Sequence, residues 1–187
     1  AAIATEAFKV WKNKTAYERS DILMRWFDLM MKHQEELAQT MTQEMGKVIR
    51  ESRGEVAYAA GFIKWYAEEA KRIHGETFSS PAGHKRLMAI KQPVGPVFAI
   101  TPWNFPLAMV TRKAAPALAA GCTFILKPAE QSPLSALNMV ALWEEAGGPP
   151  GTLQILPTSN PIPVSDTLIS DPRIRKITFT GSTEVGK

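Results

Sequence analysis

Apolar residues recur at helical spacing through the first third of the chain. Ile22, Leu23, Trp26, Phe27 and Met30 fall on one face of a segment that follows Thr15, with Glu18 three residues on. That pair is a capping-box pattern, in which each side chain accepts from the other residue's backbone N–H at a helix start. Leu37, Met41 and Met45 continue the spacing on a second segment, which Gly46 ends. A third helix is predicted from about Arg50 to Arg72, with Val56, Ala60, Ile63 and Ala67 on one face and Gly75 just beyond. Methionine and tryptophan at this spacing read as core packing rather than as a ligand groove.

The period then changes. From Thr77 to Gln92 the pattern is extended, with Pro81-Ala82-Gly83 as a turn and Leu87, Ala89 and Ile90 as parts of a strand. This is a hairpin. Beyond it, apolar runs at Val94–Ile100, Thr123–Lys127, Leu153–Leu156 and Ile174–Thr180 read as strands. Helical runs lie between them, at about Ala108–Ala120, Pro133–Ala146 and Pro163–Ile169. Ser132 before Pro133 is an N-cap and first-turn pair, and Gly147-Gly148 closes that helix. Strands alternating with helices make a parallel sheet with right-handed crossovers. The expected class is α/β: part of a Rossmann-like dinucleotide-binding domain, with the N-terminal helices alongside and the hairpin protruding.

Composition narrows the function classes. Hydrophobic residues make up 45% of the 187 residues, enough for a real core. The net charge of +4 comes from interspersed acids and bases, a solvated surface rather than a nucleic-acid footprint. The longest membrane candidate, Ala114 to Leu126, contains Pro116 and falls short of a span. A single cysteine, Cys122, excludes an internal disulfide framework and fits a reducing, cytoplasmic setting. It enters a buried run and reads as a small hydrophobe without catalytic duty. His33, His74 and His84 are scattered and show no metal-ligand spacing, so no metal is expected. The chain opens at Ala1 inside a helical pattern and closes at Lys187 in a helix just begun, so both ends read as cut.

Three strand ends carry the chemistry. Thr101-Pro102-Trp103-Asn104-Phe105-Pro106 follows the first run of the sheet. Two prolines there can hold an amide in a fixed pose, and ligands of open α/β sheets bind at the carboxyl ends of strands. The competing reading is a turn whose Asn104 caps the next helix. Leu126-Lys127-Pro128-Ala129-Glu130-Gln131-Ser132-Pro133 ends the second run. Phe179-Thr180-Gly181-Ser182-Thr183-Glu184-Val185-Gly186 ends the last and opens a helix, where backbone N–H groups suit a pyrophosphate. Gly181 to Lys187 also matches the start of a G-x-x-x-x-G-K phosphate loop, although β-branched Thr183 and Val185 sit where such loops are flexible.

In this order and spacing the three motifs resemble the aldehyde dehydrogenase superfamily, over essentially the whole chain. The resemblance implies oxidation of an aldehyde to a carboxylate through a cysteine thioester, with hydride passing to NAD. It makes Asn104 a donor to the tetrahedral oxyanion, beside a backbone N–H of the catalytic cysteine. Lys127 and Glu130 would hold the hydroxyls of the adenosine ribose, and Ser182 the pyrophosphate, with Phe179, Thr180, Gly181 and Val185 nearby. Thr101, Pro102 and Trp103 are placed with the cofactor-binding set. The Glu130 carboxylate accepts from a ribose diol and repels a 2′-phosphate, which favours NAD, although members with this Glu also take NADP. Arg112 follows Asn104 by eight residues in Thr111-Arg112-Lys113. By itself it is a surface arginine. In succinate-semialdehyde dehydrogenases this pattern binds the substrate's distal carboxylate, whereas betaine-aldehyde relatives place Trp there, so the implied substrate is a semialdehyde acid.

The same resemblance implies a parent more than twice this length, a homodimer or homotetramer joined through the 77–92 hairpin. This chain would be the N-terminal part of the NAD(P)-binding domain, without the catalytic domain. The family's nucleophile follows a Gly-Gln pair and its base lies in Glu-Leu-Gly-Gly, neither of which occurs here, so the chain alone is expected to be inactive. Pro157 to Pro163 lacks the glycines many members have after the third strand, which bears on contacts with the adenine. Two alternatives remain open at this point: a phosphate-loop nucleotide-binding protein, and a non-catalytic dinucleotide-binding or interaction module.

Overall fold

A computed structural model describes all 187 residues. Four helices come first: α1 (Ala2–Trp11), α2 (Ala16–Lys32), α3 (Gln34–Met45) and α4 (Ile49–Glu69), the last tightening into a 3₁₀ turn at Ala70–Arg72. The hairpin pairs β1 (Glu76–Ser79) with β2 (Arg86–Ala89), and both strands are exposed along their length. Then β3 (Val97–Ile100), α5 (Ala108–Ala119), β4 (Phe124–Lys127), α6 (Pro133–Glu145), β5 (Leu153–Ile155), α7 (Pro161–Ile169), β6 (Lys176–Phe179) and the short α8 (Thr183–Gly186) alternate. The strands are one to three residues shorter than the apolar runs. Val94 is exposed and Gly95 turns at φ +126°, so the ladder starts only at Val97. Conversely α7 starts two residues earlier than expected, because Pro161 sits in its first turn, where a missing N–H costs nothing.

All four sheet strands are parallel, in the order β5-β4-β3-β6. The chain moves outward from β3 to β5, then returns to the other side of β3. Right-handed crossovers therefore put α5 and α6 on one face and α7 on the other. Side-chain alternation agrees. Val97, Ala99, Phe124 and Leu126 face the large core with α2, α4, α5 and α6, while Phe98 and Ile125 face Ala4 of α1 and Leu168 of α7. Burial on both faces is why β3 and β4 read as continuous apolar runs.

At the centre of the larger core Trp143 meets Trp11 and Trp26 edge-on, with ring centroids 5.7 and 5.2 Å away. Each indole N–H is satisfied: Trp11 donates to the Leu118 carbonyl, Trp26 to that of Met139, and Trp143 to Thr152 Oγ1.

The N-terminal helices also clamp the sheet helices end to end. Glu55 accepts from the N–H groups of Leu107 and Ala108 at the start of α5. Glu44 does the same for Leu134 and Ser135 at the start of α6, and takes the Ser135 hydroxyl at 2.6 Å. At the other ends, Arg19 Nε donates to the Ala119 carbonyl and Arg25 Nε to that of Ala146. Anions thus sit at helix N-termini and cations at C-termini, as the helix dipole favours. Ser132 occupies the N-cap position of α6 as expected, but its hydroxyl makes no cap bond; Glu44 from α3 supplies it. The capping box at Thr15 and Glu18 does form. Glu44→Ala should lower the unfolding free energy by about 1–2 kcal/mol, read as a shift in urea midpoint at constant slope. No shift would mean the α6 terminus is satisfied by solvent.

Candidate active site

The parallel register brings the three motifs to one edge of the sheet. Ile100 lies beside Lys127 on one side and Phe179 on the other, so the chain leaves β3, β4 and β6 in a row. The row is tied across: Thr101 N–H donates to the Lys127 carbonyl at 3.3 Å, and Thr180 N–H to that of Ile100 at 3.1 Å. The strand order reverses beside β3, and such a switch point is where open α/β sheets bind ligands.

Thr101 is buried, while Trp103, Asn104 and Phe105 are exposed beyond it. The alternative duty for Asn104, capping α5, is not what the structure shows. Leu107 holds the N-cap position and Glu55 takes the first N–H groups. The hydrogen bond to Asn104 is made to its backbone carbonyl, by Lys47 Nζ at 2.8 Å. Its exposed side-chain amide is left to donate outward.

One turn into α5 lies Arg112, also exposed. Its guanidinium stands 5.7 Å from the Phe62 ring centroid and contacts Met109 Sδ at 3.8 Å. The cation is oriented by an aromatic face and a thioether but paired with no carboxylate, so its fork can take one. Lys113, next along, donates to Thr180 Oγ1 at 2.6 Å and so links α5 to the end of β6. Burial, and then the Arg112 charge beside it, hold the Lys113 ammonium below the usual lysine range. Sequence reading gave Lys113 no role. Its position directly after Arg112 in Thr-Arg-Lys was the available signal, but the bond to Thr180 spans 67 residues.

At the end of β4, the buried Lys127 reaches Glu130 at 2.8 Å. Burial pushes the Glu130 carboxyl up, but the Lys127 hydrogen bond and charge outweigh this and hold it below its ordinary value. With the folded value depressed, the pair's contribution is present above pH 4.5 and is lost as pH falls through the lowered value. Glu130 and Pro133 face Pro157, Thr158 and Ser159 across an open cleft of about 310 Å³. The glycine-poor loop after β5 is therefore a wall of this cleft. A carboxylate and an ammonium at a strand end, bordering such a cleft, form a donor and acceptor set that fits a ribose diol.

In the last motif Ser182 caps α8, its Oγ accepting from Val185 N–H at 3.4 Å, and Gly181 to Val185 are exposed. A Cβ at Gly181 would stand 2.5 Å from the Phe179 ring, and one at Gly186 2.9 Å. Both glycines of the apparent phosphate loop are thus explained by the seat of Phe179. Cys122 is buried before β4, remote from these strand ends in register. A cleft of about 1010 Å³ lies at the opposite, amino edge of the sheet, between Phe8, Arg19, Tyr66, Arg72, Ile90 and Pro93. It holds none of the three motifs and lies at the wrong edge for a ligand of this sheet.

The aldehyde dehydrogenase family profile matches residues 1–187. The chain belongs to the aldehyde dehydrogenase family. It is 54% identical over 186 residues to the mitochondrial succinate-semialdehyde dehydrogenase of Arabidopsis thaliana, covering 100% of this chain and 35% of that protein. It is 54% identical over 184 residues to a glutarate-semialdehyde dehydrogenase of Pseudomonas putida, covering 98% of this chain and 38% of the relative. Among solved structures it superposes on an NADP-dependent enzyme of Escherichia coli with a TM-score of 0.96 at 52% identity, over 99% of this chain and 38% of that one. The chain thus spans little more than a third of the length of these relatives. Membership of this family removes the phosphate-loop alternative. Aldehyde dehydrogenases use NAD or NADP, and no helix here is long and apolar enough to cross a membrane.

Proposed function

We propose that this chain is the N-terminal part of the NAD(P)-binding domain of a semialdehyde dehydrogenase, one that oxidises succinate semialdehyde or a close homologue to the dicarboxylate. The observation that carries the reading is the meeting, at one sheet edge, of an outward Asn104 amide, the Lys127–Glu130 pair and the Ser182 turn, with unpaired Arg112 one turn into the following helix. Relatives that act on succinate semialdehyde and on glutarate semialdehyde support a semialdehyde acid as the substrate class.

The proposed division of labour is the one the family resemblance implies, and the grouping of these residues at one sheet edge supports it. Glu130 and Lys127 hold the ribose diol, and Ser182 with the first N–H groups of α8 receives the pyrophosphate. Thr101, Pro102, Trp103, Phe179, Thr180, Gly181 and Val185 shape the walls around the dinucleotide. The bound dinucleotide supplies the hydride acceptor. Arg112 clamps the distal carboxylate and so fixes which end of the substrate points inward. A cysteine from the remainder of the protein attacks the aldehyde carbon, and Asn104 donates to the oxyanion that forms. Loss of hydride leaves a thioester, which water cleaves to the carboxylate. The 187-residue chain alone carries out none of these covalent steps, and the hairpin at 77–92 joins subunits of the complete protein.

Formation of reduced NAD or NADP by the full-length protein, in step with loss of succinate semialdehyde, tests the reaction. No reduced cofactor with any semialdehyde acid would overturn it. Cofactor choice has its own test. Glu130→Ala should weaken NAD by roughly 10-fold, the equivalent of one charge-assisted hydrogen bond, while leaving NADP unchanged or tighter as the repulsion of its 2′-phosphate is removed. Equal weakening of both dinucleotides by titration would contradict that role.

A further inference from the structure

A buried ion pair lies directly beneath the Asn104 loop, and none of the chemistry described above uses it. Glu55 sits in the second turn of α4 with its side chain 1% exposed, and Lys47 pairs with it while only 10% exposed. Glu55 Oε1 accepts from Leu107 N–H at 3.0 Å and Ala108 N–H at 3.3 Å. Lys47 Nζ binds Glu55 Oε2, donates to the Asn104 carbonyl at 2.8 Å and lies 4.1 Å from the Phe105 ring centroid. Gly46, closing α3 at φ +78°, turns the chain so that the residue after it can enter this space.

The arrangement does more than cap a helix. A cap needs only the carboxylate, and Glu55 already serves the N–H groups of Leu107 and Ala108. Lys47 adds a bond to the one residue whose amide must be aimed. The loop from Thr101 to Leu107 is thereby held at three points: at Thr101 by β4, at Asn104 and Phe105 by Lys47, and at Leu107 by Glu55. A buried ion pair is weak evidence for stability, because desolvation offsets the attraction. Fixed geometry is the better account of its presence here.

We propose that Lys47 and Glu55 are positioning residues for Asn104: the pair carries the rigidity of α4 to the Asn104 backbone and so holds its amide at the oxyanion site. The proposal rests on the oxyanion role given to Asn104 above. Neither residue touches substrate. Oxyanion donors act through preorganisation, and a displacement of about 1 Å can cost on the order of 10²-fold in rate.

The test is a double-mutant cycle in the full-length protein. Lys47→Met alone should lower kcat for aldehyde oxidation by on the order of 10-fold to 10²-fold, with the NAD dissociation constant unchanged. Lys47→Arg should restore part of it. In an Asn104→Ala background, Lys47→Met should cause no further loss, because there is no amide left to misplace. Glu55→Gln, which keeps an acceptor for the α5 N–H groups, should follow the same pattern and guards against a Lys47 variant that does not fold. Losses that multiply in the Asn104→Ala background, or a Lys47→Met protein with lowered Tm but unaltered kcat, would overturn the positioning role alone. An Asn104→Ala protein with parental kcat would overturn the oxyanion reading and the positioning role with it.

Discussion

Asn104→Ala in the full-length protein should lower kcat for aldehyde oxidation by on the order of 10²–10³-fold, the usual loss when one oxyanion donor is removed. Its NAD dissociation constant should stay where it was. The two expectations separate because the groups proposed to hydrogen-bond the dinucleotide lie on other strand ends, and alanine at 104 leaves the wall residues Thr101 to Trp103 unchanged. The dinucleotide is assigned chiefly to Lys127 at the end of β4 with Glu130 just beyond it, and to Ser182 after β6, whereas Asn104 follows β3. The local fold should survive as well: α5 is capped by Glu55, not by Asn104, and the Lys47 bond runs to the backbone carbonyl that alanine retains. Stopped-flow formation of reduced cofactor, alongside a dinucleotide titration, checks both halves. A loss confined to dinucleotide affinity would move Asn104 from the chemistry to the cofactor.

Arg112→Leu should raise KM for succinate semialdehyde by roughly 10- to 150-fold, the range expected for losing a hydrogen-bonded charge pair of about 1.5–3 kcal/mol. An uncharged aldehyde of the same length should change far less, since it offers no carboxylate for the guanidinium to hold. The prediction depends on the guanidinium being free. Arg112 makes its contacts with a ring and a thioether, while neighbouring Lys113 is drawn away to Thr180. Steady-state kinetics with the two aldehydes decides it. Equal changes for both would make Arg112 a packing residue at the helix surface.

What the sequence disclosed and what it hid follow from the range of the interactions. The Thr15–Glu18 capping box, the Gly46 helix end and the apolar face of α4 each depend on residues within a few positions, and all appear in the fold. The motif residues were legible because a parallel strand ends where its breakers begin, and the register then aligns those ends without further information. The expected hydroxyl cap at Ser132 failed because a carboxylate from Glu44, ninety residues away in sequence, reaches the same N–H groups. Glu55 to Leu107, Lys47 to Asn104 and Lys113 to Thr180 are separations of 52, 57 and 67 residues, and no local pattern marks them. Strand ends were drawn too long for a related reason. An apolar run can begin before its hydrogen-bonded ladder, where the chain enters the sheet, as at Val94 and Gly95.

The most direct test of the central claim is a comparison of kcat/KM for succinate semialdehyde and for an uncharged aldehyde of equal length, with NAD and then NADP, in the full-length protein. A preference for the acid of at least about 10-fold, the low end of what a bound carboxylate contributes, is the predicted result. Reduced cofactor formed equally well from both aldehydes would contradict the semialdehyde reading, and none from either would contradict the proposed oxidation itself.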